Sequence, residues 1–159
     1  MPHDYTIFLN APAPPTPKQL REGLGSSDGW GSLHPDHLDI PADDIHWDTL
    51  SWAWRDGAPP VVLELEHVTR EAWRLPDLEL ERARTALQRL PVSPPRALAL
   101  RQLAETRLIL TLVVPRVAGN EAAWRLAERL AQVLEQSGPG VLHVAGGAWY
   151  VAGQILPIA

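Results

Sequence analysis

Residues with the greatest capacity for chemistry are concentrated in one segment, residues 28–56. This segment contains four of the seven tryptophans, three of the six histidines and seven aspartates, while Arg55 is its only arginine or lysine. Indole rings bury a large area on contact, and carboxylates select hydrogen-bond donors or cations. The composition therefore predicts a recognition surface, and we expect a functional site here rather than in the Ala-, Leu- and Arg-rich remainder.

A short string within this segment, His34-Pro35-Asp36-His37, has the residue types of a metal site. Two imidazoles and a carboxylate can act as ligands, and Asp39 or His46 can complete the shell. The string resembles the second half of the H-x-H-x-D-H zinc motif of metallo-β-lactamase-fold hydrolases. Ser32 stands where that motif has its first histidine, and the strands that precede it in that family are missing. The alternative interpretation is a solvated loop in which aspartate and proline form turns.

The three carboxylates of Asp43, Asp44 and Asp48 form the second candidate group. Paired carboxylates can serve in acid–base chemistry or bind a hard cation such as calcium. The alternating ligands, mid-loop glycine and final glutamate of a calcium loop are absent from this stretch. Pro41-Ala42-Asp43-Asp44 is more simply interpreted as a turn or a helix start.

Trp47, Trp52 and Trp54 form the third candidate group. Their rings can line a groove for a sugar, a peptide or an organic cation, and Trp52 and Trp54 would project to the same side of a strand. The competing interpretation is core packing, because Phe8 is the only phenylalanine and tryptophan can replace it as the large apolar residue.

Several function classes are excluded or disfavoured. The chain has no cysteine, which excludes disulfides and thiolate sites, and it has no G-x-S-x-G elbow or phosphate-binding loop. A pI near 5.6 disfavours nucleic-acid binding. The longest apolar stretch, residues 108–114, is too short to span a membrane, and the first residues do not resemble a signal peptide. We therefore expect a cytoplasmic protein without an enzyme signature.

The charge is distributed unevenly along the chain. Residues 1–66 carry eleven acidic and three basic side chains, whereas residues 67–159 carry eight acidic and eleven basic ones. In one interpretation the acidic front of the chain, residues 1–66, docks on its basic back, residues 67–159, or solvent screens both. In the other, one acidic face is presented to a cationic partner.

The hydrophobic pattern predicts the secondary structure. Strands are expected at residues 4–9, 61–68, 97–103, 106–114, 141–144 and 148–151, and helices at residues 17–24, 77–90 and 120–136. Residues 26–60 are expected to be mostly loop, with an extended piece within residues 45–54. An Ala-Trp-Arg-Leu string recurs at an offset of 51, in residues 72–75 and 123–126. At the same offset residues 61–63 match 112–114 and residues 97–100 match 148–151. This echo suggests two strand–helix–strand halves.

The expected fold is thus α+β: one domain, a two-layer sandwich with a ferredoxin-like βαββαβ core in residues 61–156 and a strand–helix–loop extension before it. The expected function is non-catalytic binding of a protein with a basic surface, without nucleic acid, membrane or cofactor, by a monomer or a homodimer paired through residues 148–151. Small bacterial accessory proteins, including toxin-neutralising ones, often have this profile. The predicted binding residues are Trp47, Trp52, Trp54, Asp43, Asp44 and Asp48. The alternatives are a metal-dependent hydrolase using His34, Asp36, His37 and His46, or a small-molecule or glycan binder on the tryptophans.

Overall fold

Short apolar segments and amphipathic helices build an antiparallel sheet with helices packed against it. The structure, a computed structural model, describes residues 4–25, 33, 39–68 and 75–157. In this part of the chain the strands are β1 (Tyr5–Leu9), β2 (Thr49–Trp52), β3 (Val61–His67), β4 (Leu108–Val113), β5 (Gly140–Val144), β6 (Trp149–Val151) and β7 (Gln154–Ile155). The helices are α1 (Pro17–Leu24), α2 (Leu75–Gln88), α3 (Pro94–Ala104) and α4 (Glu121–Glu135).

The seven strands form one sheet in the order β2-β3-β4-β1-β5-β6-β7. Strand β1 lies in the middle, where Ile7 is opposite Leu110 of β4 and Leu142 of β5. Apolar side chains dominate these central strands because both neighbours and the packed helices exclude water from them. Strands β2 and β7 are the two edges of the sheet.

Alternate residues of β1 point into two separate cores. Ile7 and Leu9 pack in a cluster that includes the buried leucines of α1 and α4, whereas Phe8 packs in a second cluster with residues of α2 and α3. Because neighbouring residues of a strand face opposite sides of a sheet, α1 and α4 cover one face and α2 and α3 cover the other. The mixed content of helices and strands agrees with the sequence prediction. The predicted two-layer, ferredoxin-like arrangement is not confirmed, because helices pack on both faces.

The segment predicted as a strand at residues 97–103 is helix α3 instead. Ser93 accepts a hydrogen bond from the Arg96 backbone N–H, and Pro94 and Pro95 occupy the first helical positions. A serine N-cap followed by proline is a helix start. Residues 61–156 therefore do not follow a βαββαβ order, and residues 97–100 are not equivalent to residues 148–151. Residues 72–74 of the echo lie outside the described residues.

The predicted dimer edge at residues 148–151 is also wrong. Strand β6 lies inside the sheet, between β5 and β7, so its backbone hydrogen bonds are made within the chain.

Among the described residues, none of the helices has the length and apolar character needed to cross a membrane.

Candidate interaction surface

The loop of residues 39–48 is fixed on helix α1. That helix starts with a reciprocal capping box, in which Gln19 N–H donates to the Thr16 hydroxyl and Thr16 N–H donates to the Gln19 side chain. The Lys18 backbone N–H donates to the Ala42 carbonyl at 2.9 Å. The indole N–H of Trp47 donates to the Pro15 carbonyl, also at 2.9 Å. These contacts attach the loop to α1 and to the proline-rich connector before it.

Two of the three candidate tryptophans are core residues. Trp47 is 3% exposed and Trp52 is fully buried, both in the cluster beneath α1 and α4. The indole N–H of Trp52 has no hydrogen-bond partner. The prediction that these rings form an exposed platform is therefore wrong, because the packing of β2 on the core removes them from solvent.

Trp54 differs from the other two because it follows the end of β2 and is only partly buried. Its indole N–H donates to the Pro59 carbonyl at 2.6 Å, across the turn between β2 and β3. The Arg55 guanidinium lies 4.5 Å from the centre of the same ring, within the range of a cation–π contact. Trp54 therefore presents part of one fixed ring, shielded by Arg55, at the edge of the sheet.

The candidate carboxylates remain at the surface. Asp43 and Asp48 are exposed, and Asp44 is half-buried. Asp44 forms a turn, since its N–H donates to the Pro41 carbonyl and its Oδ1 accepts the His46 N–H at 2.8 Å. Both predicted features, the turn and the exposed carboxylates, thus occur in the same loop.

Strand β3 adds two carboxylates that the sequence prediction did not include. Glu64 and Glu66 are exposed, and Glu64 is the cross-strand neighbour of Thr49 in the edge strand β2. The signal for them is the alternation of Val62, Glu64 and Glu66 in the strand predicted at residues 61–68, which places all three on one face. We call the whole set the acidic surface; it comprises Asp39, Asp43, Asp44, Asp48, Asp56, Glu64 and Glu66. The 39–48 loop lies on the α1 side of the sheet, whereas Glu64 and Glu66 alternate with the buried Leu63 and Leu65 and point to the opposite side.

None of the acidic-surface carboxylates forms an ion pair with another described residue. Residues 39–66 contain these seven carboxylates and one cation, Arg55, which stacks on Trp54. Like charges at this density repel each other and attract cations of a partner. The chemistry available to the acidic surface is therefore charge-assisted hydrogen bonding to arginine or lysine.

The predicted metal site is only partly covered by the structure. His34, Asp36 and His37 lie outside the described residues. His46 is exposed, and its backbone N–H is used in the turn with Asp44. Within the described ranges, no three histidine, aspartate or glutamate side chains converge closely enough to hold a metal ion.

Comparisons with protein-family models, with curated proteins and with solved structures found no match to this chain.

Proposed function

We propose that this protein is a non-catalytic interaction protein that uses its acidic surface to bind a protein partner with a basic patch. One observation carries the proposal: the carboxylates of residues 39–66 are at the surface and without a cationic partner in the described chain. If the acidic residues were neutralised by the protein's own basic residues through ion pairs, these carboxylates would have arginine or lysine partners, and within the described residues they have none.

Physical reasoning supports a binding role over a stabilising one. Solvent-exposed carboxylates contribute little to folding, and a cluster of them is mildly destabilising through mutual repulsion. The same cluster accelerates encounter with a basic partner and selects against acidic ones. The segment is attached to the rest of the chain through the indole hydrogen bonds of Trp47 and Trp54. In this proposal the tryptophans support the surface and the carboxylates contact the partner.

The proposal is non-catalytic because the exposed carboxylates Asp43, Asp48, Glu64 and Glu66 face solvent. General acid–base catalysis uses groups whose pKa is tuned by burial or by close neighbours in a site that limits access of water. A binding surface has no such requirement. We place the interaction in the cytoplasm, as the sequence predicts.

A photo-crosslinking experiment in the native cells tests the proposal. A benzophenone amino acid replaces Ile45, which is 42% exposed beside Asp43, Asp44 and Asp48; in the control it replaces Ile155, which is 58% exposed on the opposite edge strand. We expect a discrete adduct with a basic protein from position 45 and none from position 155.

Matched charge variants make the test specific. Asp43→Asn/Asp48→Asn should abolish the position-45 adduct, whereas Gln136→Lys/Gln154→Lys makes the same change in net charge outside both charged surfaces and should leave it intact. Equal adducts from both positions, or an adduct that survives Asp43→Asn/Asp48→Asn, would contradict the proposal.

The metal-dependent hydrolase remains the alternative, and it requires a bound metal. Native mass spectrometry of freshly purified, untagged protein measures this directly. Stoichiometric zinc that is lost in His34→Ala would replace the interaction proposal with the hydrolase. A mass without metal would leave the acidic surface as the functional site.

A further inference from the structure

The basic charge of the chain is concentrated in a second group of residues, most of them on helices α2 and α3. Residues 82–107 contain six arginines and one glutamate, a net charge of +5. Two of these arginines are engaged locally: Arg84 pairs with Glu81, and Arg96 donates to the Leu90 carbonyl at 3.2 Å across the turn from α2 to α3. The remaining four are exposed and make no ion pair with another described residue. We call them the basic surface: Arg82, Arg89, Arg101 and Arg107.

An exposed apolar residue follows Arg89 of this basic surface by three positions in the sequence. Val92, in the turn between α2 and α3, is 90% exposed, the highest exposure among the large apolar residues at the surface of the described chain. Protein interfaces combine a small apolar centre with a polar rim. The acidic segment likewise contains an exposed aliphatic residue, Ile45. Each surface therefore has an exposed aliphatic side chain close in sequence to charges that are mostly of one sign.

We propose that the basic partner of the acidic surface is a second copy of this chain, whose basic surface contacts the acidic surface of the first. This inference rests on the proposed function and specifies its partner. The acidic surface has seven carboxylates and the basic surface has four arginines, so docking neutralises more than half of the acidic charge and all of the basic charge. Each surface consists of unpaired charges within one chain, and each has the composition that the other requires.

Most members of the two surfaces lie on different elements, the 39–48 loop and β3 for the acidic surface and α2 and α3 for the basic surface. Arg107 is the exception, since its backbone carbonyl accepts a hydrogen bond from Val68, two residues after Glu66. The contact is therefore between unlike surfaces of two copies, an arrangement with a recognisable consequence. A copy without its acidic surface can still bind through its basic surface. A copy without its basic surface can still bind through its acidic surface. Two such defective copies should complement each other.

Sedimentation velocity across a range of protein concentrations tests this prediction. At low ionic strength the wild-type chain should associate as its concentration rises, and the association should weaken progressively with added salt. Asp43→Asn/Asp48→Asn/Glu64→Gln and Arg82→Gln/Arg89→Gln/Arg101→Gln should each weaken self-association about tenfold or more. An equimolar mixture of the two variants should form a 1:1 heterodimer and go no further.

A charge-neutral pair of variants tests the contact independently of electrostatics. Val92→Ser should weaken the association, whereas Ile155→Ser, which removes an exposed aliphatic side chain from the opposite edge of the sheet, should not. A wild-type chain that stays monomeric at low salt and millimolar concentration would overturn the inference. So would a mixture of the two charge variants that fails to associate.

The experiment separates this inference from the proposed function. A monomeric chain whose position 45 still crosslinks to another basic protein would refute self-association alone. An adduct of twice the chain mass would support both proposals. A third outcome is that the wild type stays monomeric but binds a 20-nucleotide single-stranded DNA, and that the arginine variant does not bind it. The basic surface would then bind a polyanion, and the inference would be overturned.

Discussion

At the level of single residues, Trp47 and Trp52 are both buried in the same core but differ in one hydrogen bond. The Trp47 indole donates to the Pro15 carbonyl, whereas the Trp52 indole N–H has no partner. Replacing either by phenylalanine removes a similar volume. Trp47→Phe also leaves a buried carbonyl unsatisfied, which costs about 1–3 kcal/mol, while Trp52→Phe removes an unsatisfied donor. We expect Trp47→Phe to lower the free energy of unfolding by about 1 kcal/mol more than Trp52→Phe.

Denaturant titration followed by circular dichroism measures this difference, since the signal does not depend on the tryptophans removed. Trp52→Ala serves as a control for burial and should be far more destabilising than Trp52→Phe. A loss for Trp52→Phe equal to or greater than that for Trp47→Phe would show that ring packing, and not the hydrogen bond, sets the ranking.

His143 is the residue whose charge state depends most clearly on folding. Its ring stacks on Trp149 with the centroids 4.0 Å apart, and burial lowers the pKa of His143 below its usual 6.5. The unfolded chain therefore takes up a proton at a higher pH than the native chain does. The contribution of neutral His143 to the free energy of unfolding should be fully present above about pH 6.5. It should decline as the pH falls from there through the pKa of His143 in the folded protein.

Two measurements check this pH dependence. The Hε1 resonance of His143 should titrate with a midpoint below 6.5 in NMR spectra of the native protein. The free energy of unfolding should fall between pH 7 and the folded pKa, and His143→Gln should flatten that fall. A midpoint at or above 6.5 would contradict the burial argument.

At the level of elements, β1 and β5 approach each other closely at one glycine. A Cβ added to Gly140 would lie 2.4 Å from the Phe8 carbonyl oxygen, a backbone atom that cannot move without disturbing the central strand. Gly140→Ala should therefore cost roughly 1–3 kcal/mol or more through overpacking. Gly147→Ala is the matched control, because its added Cβ would meet neighbours only at ordinary contact distances. In thermal unfolding, the melting temperature of Gly140→Ala should be several degrees below that of Gly147→Ala. Equal melting temperatures would contradict the prediction.

The elements also show where sequence patterns are sufficient. Helix α4 and strands β3 and β4 lie close to their predicted bounds, because their periodicity and flanking prolines or glycines agree. The strand predicted at residues 97–103 is helix α3, a segment in which alanine and leucine predominate. Both residues favour helices, and the Ser93-Pro94-Pro95 sequence starts one. The three-layer arrangement depends on which face each helix covers, and the pattern of single elements does not contain that information.

The candidate surface was predictable in its charge but not in its aromatic residues. Asp43 and Asp48 are exposed because carboxylates without a partner stay hydrated. Trp47 and Trp52 could not be placed from sequence, since the same rings suit a core and a platform equally well. Their burial follows from the position of β2 against the helix α1 layer, a contact between segments distant in sequence.

At the level of the whole molecule, charges of one sign are grouped together instead of being interspersed. Seven carboxylates occur within residues 39–66, and six arginines within residues 82–107. Each group repels itself in the native monomer, and this repulsion is relieved when the chain expands on unfolding. Salt screens the repulsion, since the Debye length falls from about 30 Å at 0.01 M to about 8 Å at 0.15 M. The free energy of unfolding of the monomer should therefore rise with salt, by roughly 0.5–1 kcal/mol over this range.

This dependence is best measured at about micromolar protein, where self-association contributes little stability by mass action. Asp43→Asn/Asp48→Asn/Glu64→Gln should be more stable than the wild type at 0.01 M salt and should respond less to added salt. The arginine variant Arg82→Gln/Arg89→Gln/Arg101→Gln should behave in the same way. If both variants were instead less stable at low salt, the two surfaces would attract each other within one chain, and neither would be free to bind a partner.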